Sequence, residues 1–235
     1  AQGSSERNIT VVIEKRHLKK ALNVLHESFF IEERKKVNLF IIGLGNVGKA
    51  FLEQVSNQQA YLLDKLNMKL AIIGAANSKT MIFDEQGLDP MTFMEELPKS
   101  EVFNQANFLE QMRTLNLRNS IFIDITASAV VAEIYEKVLR ESVSVVTPNK
   151  IAATREYKHY SLLKSLAKKH KAQFLFETNV GAGLPVLSTL SDLVKSGDQI
   201  IKIEAVLSGT LNFIFNNYDA NRPFVEVVKL AKKEG

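Results

Sequence analysis

Apolar residues in this chain fall into short continuous runs separated by stretches of helical spacing. Leu39 to Ile42 is an uninterrupted run that meets Gly43-Leu44-Gly45-Asn46-Val47-Gly48. It then passes into a helical pattern, with Val47, Ala50, Phe51 and Val55 on one side, that ends near Gln59. Lys69 to Ala76, Ser120 to Ile125, Val143 to Val146 and Phe174 to Phe176 are further buried-strand candidates. Helical patterns lie between them, from about Val130 to Glu141 and from Tyr157 to Lys171. Between Met81 and Arg118, turn signals (Asp84-Glu85-Gln86-Gly87, Asp89-Pro90) and two short helical segments read as the crossover to the third strand. Strands alternating with helices predict an α/β fold, a doubly wound parallel sheet of Rossmann type. Beyond Phe176 the pattern changes. A helix from Pro185 to about Lys195, a strand of alternating faces from Asp198 to Leu207, a helical stretch through Ile214 and a helix from Phe224 to Lys232 predict an α+β second domain.

Before the first run, Ile9 to Ile13 reads as a strand. Lys15 to Phe30 reads as a helix with Leu18, Ala21, Leu22, Leu25 and Phe29 on one face. One strand and one helix cannot cover their own apolar faces, so they either pack on the main body or end a domain lying upstream. Ala1 to Arg7 is small and polar, as in a cut end or an expression remnant, and Glu32 to Lys36 reads as a solvated linker. His17 and His26 have no carboxylate or third ligand at metal spacing and read as surface or packing residues.

Composition narrows the class. With 235 residues, 46% of them apolar, the chain can bury a sizeable core in one or two domains. No apolar run approaches the roughly 20 residues that span a bilayer, and the beginning lacks the order of a secretory signal, so the expectation is a soluble cytoplasmic protein without a membrane partner. The sequence has no cysteine, which excludes disulfides, thiolate metal sites and a thiohemiacetal route for aldehyde chemistry. The net charge of +4 is modest and lysines lie among acids, so nucleic acid is not an expected partner.

The Gly43–Gly48 spacing has a mechanical reading. Gly43 permits a tight turn, Gly45 lets the backbone approach a pyrophosphate, and Gly48 lets helix and strand pack without an intervening Cβ. The helix N-terminus adds unpaired N–H groups and partial positive charge. A plain glycine-containing turn is the alternative, but strand, triplet and helix coincide here, which favours dinucleotide binding. At the end of the second strand, where a carboxylate would hold the adenosine ribose and repel a 2′-phosphate, the chain has Ala76-Asn77-Ser78-Lys79. That favours NADP while allowing NAD; a loop of small polar residues is the bland alternative. Asp124-Ile125-Thr126-Ala127-Ser128 closes the third strand with hydroxyls that suit a cofactor crevice or plain helix caps. Thr147-Pro148-Asn149-Lys150 stops the fourth strand and brings Lys150 to the rim of the same crevice, where it reads equally as a ligand-facing or a plain surface lysine, with Asn149 holding the following turn or orienting it. Glu177-Thr178-Asn179-Val180-Gly181-Ala182-Gly183-Leu184-Pro185 has a carboxylate and exposed carbonyls able to hold a hard cation, or is simply a turn.

The set GLGNVG, ANSK, DITAS, TPNK, ETNVGAGLP and SGTLNFIF, in this order, closely resembles homoserine dehydrogenase from about Val37 to Gly235. In particular it resembles the dehydrogenase half of the bifunctional aspartokinase–homoserine dehydrogenases, and the leading segment resembles the end of an ACT regulatory domain. The resemblance implies residues 1–36 as that tail plus linker, 37–178 as an NAD(P)-binding domain and 179–235 as an incomplete substrate and dimerisation domain. It implies reversible reduction of L-aspartate 4-semialdehyde to L-homoserine by NAD(P)H, in threonine and methionine biosynthesis.

The same resemblance assigns residues. The backbone of Gly43, Leu44, Gly45, Asn46, Val47 and Gly48 holds the pyrophosphate; Ala76, Asn77, Ser78 and Lys79 neighbour the ribose; Thr126, Ala127 and Ser128 line the nicotinamide side. Lys150 matches a lysine contacting cofactor and substrate, and Ser208, Gly209 and Thr210, expected to bind substrate, lie where the substrate domain meets the cofactor. Glu177 with the carbonyls of Val180, Ala182 and Leu184 matches a monovalent cation site, usually sodium. Dimerisation through the substrate domain is implied as well. Two departures stand out. In the family an acidic substrate-binding segment with a second catalytic lysine follows the helix that here ends near Lys232, so the sequence as given is expected to bind cofactor with little turnover. Ile151 also replaces a lysine found in many members. A semialdehyde or glyceraldehyde phosphate dehydrogenase would need a cysteine; a dinucleotide-sensing module would not need TPNK or NVGAGLP.

Overall fold

The computed structural model describes residues 4–5, 8–30, 35–219 and 222–234 and divides into two compact units, Ala1–Leu175 and Phe176–Gly235. The first unit is built on a seven-stranded sheet whose strands are numbered here in chain order. They are β1 (Lys35–Ile42), β2 (Met68–Ala76), β3 (Thr80–Leu88), β4 (Glu101–Val102), β5 (Ser120–Asp124), β6 (Ser144–Val146) and β7 (Phe174–Leu175). Their spatial order is β4-β3-β2-β1-β5-β6-β7. β1 pairs in parallel with both β2 and β5, and β6 and β7 extend the parallel set. The chain therefore grows outward from β1 on one side, returns, and grows outward on the other. The carboxyl ends of β1 and β5 mark the switch point where a crevice opens.

β1 is buried on both faces from Val37 onward, as expected of a central parallel strand. Val37, Leu39 and Ile41 face one layer, where Leu52 and Val55 of the helix Asn46–Leu66 pack on them. The opposite face carries a line of rings, Phe40, Phe83, Phe108, Phe122, Tyr135 and Phe174, with successive centroids 4.9–6.5 Å apart. These rings come from four strands and from the helices Gln105–Leu115 and Tyr135–Arg140, so helices cover both faces.

Several elements differ from the hydropathy reading. Asp84-Glu85-Gln86-Gly87 does not end a strand; it is a bulge within β3, which runs antiparallel to β2 and is itself followed by antiparallel β4. The sheet is therefore a parallel core extended on one side by two antiparallel strands, β3 and then β4 at the edge. Lys35 and Lys36 belong to β1, while the rest of the expected linker lies outside the described residues. The helix after the glycine turn continues to Leu66, and its buried residues are Gly48, Leu52 and Val55; Val47 and Ala50 face outward. The helix expected through Glu141 is broken into Ala129–Ala132 and Tyr135–Arg140.

In the leading segment, Ser4–Ser5 and Asn8–Ile9 pair antiparallel, and Val11 to Ile13 is irregular and exposed. The strand expected over Ile9 to Ile13 is thus limited to its first residue. The helix Leu18–Phe30 forms, preceded by a 3-10 turn at Lys15–His17, with Leu22 56% and Phe29 74% exposed. Both His17 and His26 are exposed.

The second unit contains the helices Leu187–Lys195, Gly209–Asn217 and Phe224–Glu234. The last two pack through Phe213, Ile214, Val227 and Ala231. Asp198 to Leu207, expected as a strand, has no regular structure, and its apolar side chains are exposed, Ile201 by 97%. Period-two alternation needs a neighbouring strand to become one, and the second unit has none among the described residues. Pro185 lies two residues before the helix it was expected to start.

Candidate functional site

Three strand ends meet at Gly43. The Gly43 N–H donates to the Ala76 carbonyl at 2.9 Å, and the Ile125 N–H donates to the Ile42 carbonyl at 2.8 Å. Gly43 has φ +109°, and a Cβ there would lie 2.4 Å from the Ile125 carbonyl oxygen, so only glycine fits. Gly45 occupies the N-cap position of Asn46–Leu66 and brings no side chain to it. A Cβ on Gly45 would meet nothing within 4 Å, so the fold itself does not require glycine there.

A groove of about 800 Å³ opens at this point. It is lined by Ile42–Gly45, by Asn77–Lys79 at the end of β2, by Ile125–Ser128 at the end of β5, and by Phe103 and Val131. The Asn77 carboxamide oxygen accepts the N–H groups of Lys79 and Thr80 at 2.7 and 2.8 Å, a side-chain turn that displays Ser78 and Lys79 at its tip. Phe103 is held alongside, its N–H donating to the Lys79 carbonyl at 2.8 Å. On the other wall, the Thr126 N–H donates to Asp124 Oδ1 at 2.8 Å and the Ser128 N–H to Thr126 Oγ1 at 3.0 Å. Ser128 Oγ also caps the Ala129–Ala132 helix by accepting the Val131 N–H.

Nine of the residues expected to bind cofactor line this groove: Gly43, Leu44, Gly45, Asn77, Ser78, Lys79, Thr126, Ala127 and Ser128. Ala76 is buried just beneath, and Asn46, Val47 and Gly48 form the first helical turn outside the lining. Lys150 is exposed at the end of the neighbouring β6 and is not a lining residue. Its neighbour Asn149 nevertheless reaches the lining, with Nδ2 donating to the Ser128 carbonyl at 3.0 Å. Sequence reasoning missed Phe103 and Val131, which follow a short edge strand and a cap with no distinctive spacing. It also passed over Tyr135, whose hydroxyl lies 2.5 Å from Asp124 Oδ2. Burial first, then the charge of Asp124, hold this phenol protonated far above its ordinary range.

The remaining expected residues lie in the second unit. Glu177 Oε1 and Oε2 accept the N–H groups of Leu187 and Ser188, each at 2.8 Å, so the carboxylate seats the N-terminus of Leu187–Lys195. The intervening loop passes through left-handed backbone at Gly181 (φ 73°) and Ala182 (φ 52°), and the Leu184 carbonyl accepts the Val186 N–H at 2.9 Å. Ser208 Oγ caps the Gly209–Asn217 helix through the Leu211 N–H at 3.2 Å, leaving Gly209 and Thr210 exposed on its first turn. No helix among the described residues is long and apolar enough to cross a membrane.

A glycine turn at the switch point of a doubly wound sheet, opening on a groove of this volume, defines an α/β domain of the nucleotide-binding type. The profile described as homoserine dehydrogenase, NAD binding domain, matches residues 43–177, that of homoserine dehydrogenase itself matches 185–235, and an ACT domain profile matches 1–29. The chain belongs to the homoserine dehydrogenase family. It is 38% identical to the bifunctional aspartokinase/homoserine dehydrogenase of Haemophilus influenzae over 236 residues, all of this chain and 29% of that protein. It is 31% identical to the homoserine dehydrogenase of Schizosaccharomyces pombe over 86% of this chain and 56% of that one. The chain thus spans under a third of the bifunctional relative. A hyperthermophilic archaeal homoserine dehydrogenase in complex with NADPH superposes with a TM-score of 0.71 at 26% identity, covering 85% of this chain and 61% of that one.

Proposed function

We propose that this chain supplies the coenzyme-binding part of a homoserine dehydrogenase, within a polypeptide that also carries aspartate kinase, and takes NADP(H) in preference to NAD(H). The observation that carries the reading is the open space at Gly45, beside a helix N-terminus in the wall of an 800 Å³ groove. Every other constraint on the turn comes from the protein's own packing; Gly45 alone is left for a pyrophosphate. When bound, the dihydronicotinamide supplies the hydride that reduces the aldehyde carbon of aspartate semialdehyde. The main chain of Gly43 to Gly48 seats the diphosphate. Ala76 to Lys79, with no carboxylate and one ammonium, receive the adenosine ribose and its 2′-phosphate, and Thr126 to Ser128 flank the nicotinamide. The Lys150 ammonium stabilises the developing alkoxide.

In this reading residues 1–36 are the tail of an ACT-like domain and linker, 37–178 the coenzyme domain, and 179–235 the first part of the substrate and dimerisation domain, where Ser208 to Thr210 meet substrate. Glu177 and the carbonyls of Val180, Ala182 and Leu184 offer an all-oxygen set with one negative charge, which suits sodium. Titration with NADPH and NADH, followed by an assay of homoserine-dependent NADP reduction in this chain and in one carrying the rest of the relatives' dehydrogenase region, tests the proposal. Coenzyme binding with activity in the longer form supports it. Coenzyme binding without activity in either form would leave a sensor, and no binding would refute the reading entirely.

A further inference from the structure

Asp124 at the end of β5 is fully buried, the one charged side chain so placed among the described residues. Burying a carboxylate is costly unless its oxygens are satisfied, and here they are. Oδ1 accepts the Thr126 N–H at 2.8 Å; Oδ2 accepts the Tyr135 hydroxyl at 2.5 Å and Asn149 Nδ2 at 3.0 Å. Tyr135 has a single proton, which goes to the shorter, charge-assisted bond. Thr147 Oγ1, 3.0 Å from that phenol, donates to the Asp124 carbonyl at 2.8 Å and accepts the Asn149 N–H at 2.9 Å. Asn149 completes the ring. Its two amide protons go to Asp124 and to the Ser128 carbonyl, and its oxygen accepts the Ile151 N–H at 3.1 Å.

The ends of this network are what give it meaning. One is the Thr126–Ser128 wall of the groove; the other is the turn that carries Lys150. Both segments lie outside the strands and lead only into one-turn helices, Ala129–Ala132 and Ile151–Thr154. Of the groove walls, the one at Asn77–Lys79 is bonded to other partners and receives nothing from the network.

We propose that Asp124, Tyr135, Thr147 and Asn149 form a buried positioning device that fixes the nicotinamide half of the groove, and Lys150 beside it, independently of the adenosine half. The inference rests on the coenzyme reading above and concerns residues that touch neither coenzyme nor substrate. Its prediction is a split between two ligands. In Tyr135→Phe and Thr147→Val, which keep shape and lose one hydroxyl each, affinity for NADPH falls about fivefold, the scale of one hydrogen bond. The enhancement of reduced-nicotinamide fluorescence falls with it. Affinity for 2′-phospho-ADP-ribose, which lacks the nicotinamide, stays unchanged, and Thr147→Ser restores the wild-type ratio.

Isothermal titration of both ligands, with nicotinamide fluorescence, reads this directly. Equal loss for the two ligands, or a lowered Tm with the affinity ratio intact, would make the network a plain structural strap and overturn the proposal. Should Tyr135→Phe fail to fold, the Thr147 pair still decides. Wild-type protein binding neither ligand would instead refute the coenzyme reading, a distinguishable result.

Discussion

Gly48 lies so close over Gly43 that a Cβ built on it would stand 2.3 Å from the Gly43 carbonyl oxygen. That contact is with backbone, which cannot rotate away, so one of the two elements must shift. Alanine would gain up to ~1 kcal/mol of helix propensity, but overpacking of this kind costs about 1–3 kcal/mol. Gly48→Ala is therefore expected to lower Tm by about 2–8 °C and to weaken NADPH binding as the turn deforms. Gly45→Ala, with nothing within 4 Å of the new methyl, is expected to leave Tm alone while weakening NADPH by tenfold or more, ~1.4 kcal/mol or above. Melting curves and coenzyme titrations of the two variants separate a glycine kept for the fold from one kept for a ligand.

Lys79 sits at the tip of the turn built by Asn77, and its side chain is exposed. Lys79→Glu replaces an attraction for a 2′-phosphate with a repulsion. The apparent KM for NADP should rise at least tenfold and that for NAD by less than twofold, measured by homoserine oxidation in a form of the protein that turns over. Equal changes for the two coenzymes would remove Lys79 from the specificity argument.

What the sequence made legible, and what it hid, follows from where the constraints act. The Gly43–Gly48 turn could be read because three local requirements fall on adjacent residues, and the buried strands because apolar runs leave few other solutions. β3 was obscured because Asp84-Glu85-Gln86-Gly87, a strong turn signal, sits inside a strand as a bulge. Asp198 to Leu207 erred in the opposite direction: its alternation is real, but pairing is a property of two segments. The ring of Asp124, Tyr135, Thr147 and Asn149 joins residues up to 25 positions apart, so no local pattern displays it. An aspartate directly after the apolar run Ile121–Ile123 was a local hint.

Tyr135 gives the fold a dependence on alkaline pH. Its phenol is held protonated in the folded state, whereas in the unfolded chain it titrates at its ordinary value of 10.0. A group whose folded pKa is raised contributes its full stability below the unfolded value and loses it as pH climbs beyond. Above pH 10 the unfolded state releases a proton that the folded state keeps, so stability falls by up to ~1.4 kcal/mol per pH unit from this residue. Urea unfolding between pH 9 and pH 11.5 should show this extra slope in wild type and its absence in Tyr135→Phe, with the other tyrosines and lysines cancelling in the comparison. Parallel slopes for the two proteins would mean that the phenol ionises as readily folded as unfolded.

Phe103 is the aromatic member of the groove lining, tied by its N–H to the carbonyl of the very residue expected to meet the 2′-phosphate. In the proposed coenzyme orientation the ring lies at the adenosine end, where a purine would find apolar cover that Ser78 and Asn77 do not offer. Base–aromatic contacts are worth about 1–3 kcal/mol, so Phe103→Ala is expected to weaken 2′-phospho-ADP-ribose and NADPH alike by roughly fivefold to a hundredfold. Phe103→Tyr should bind nearly as wild type. The even loss across both ligands is the reverse of the pattern expected for Tyr135→Phe, so one set of titrations reads the two ends of the groove separately. Loss confined to NADPH would move the ring to the nicotinamide end and reverse the proposed orientation of the coenzyme.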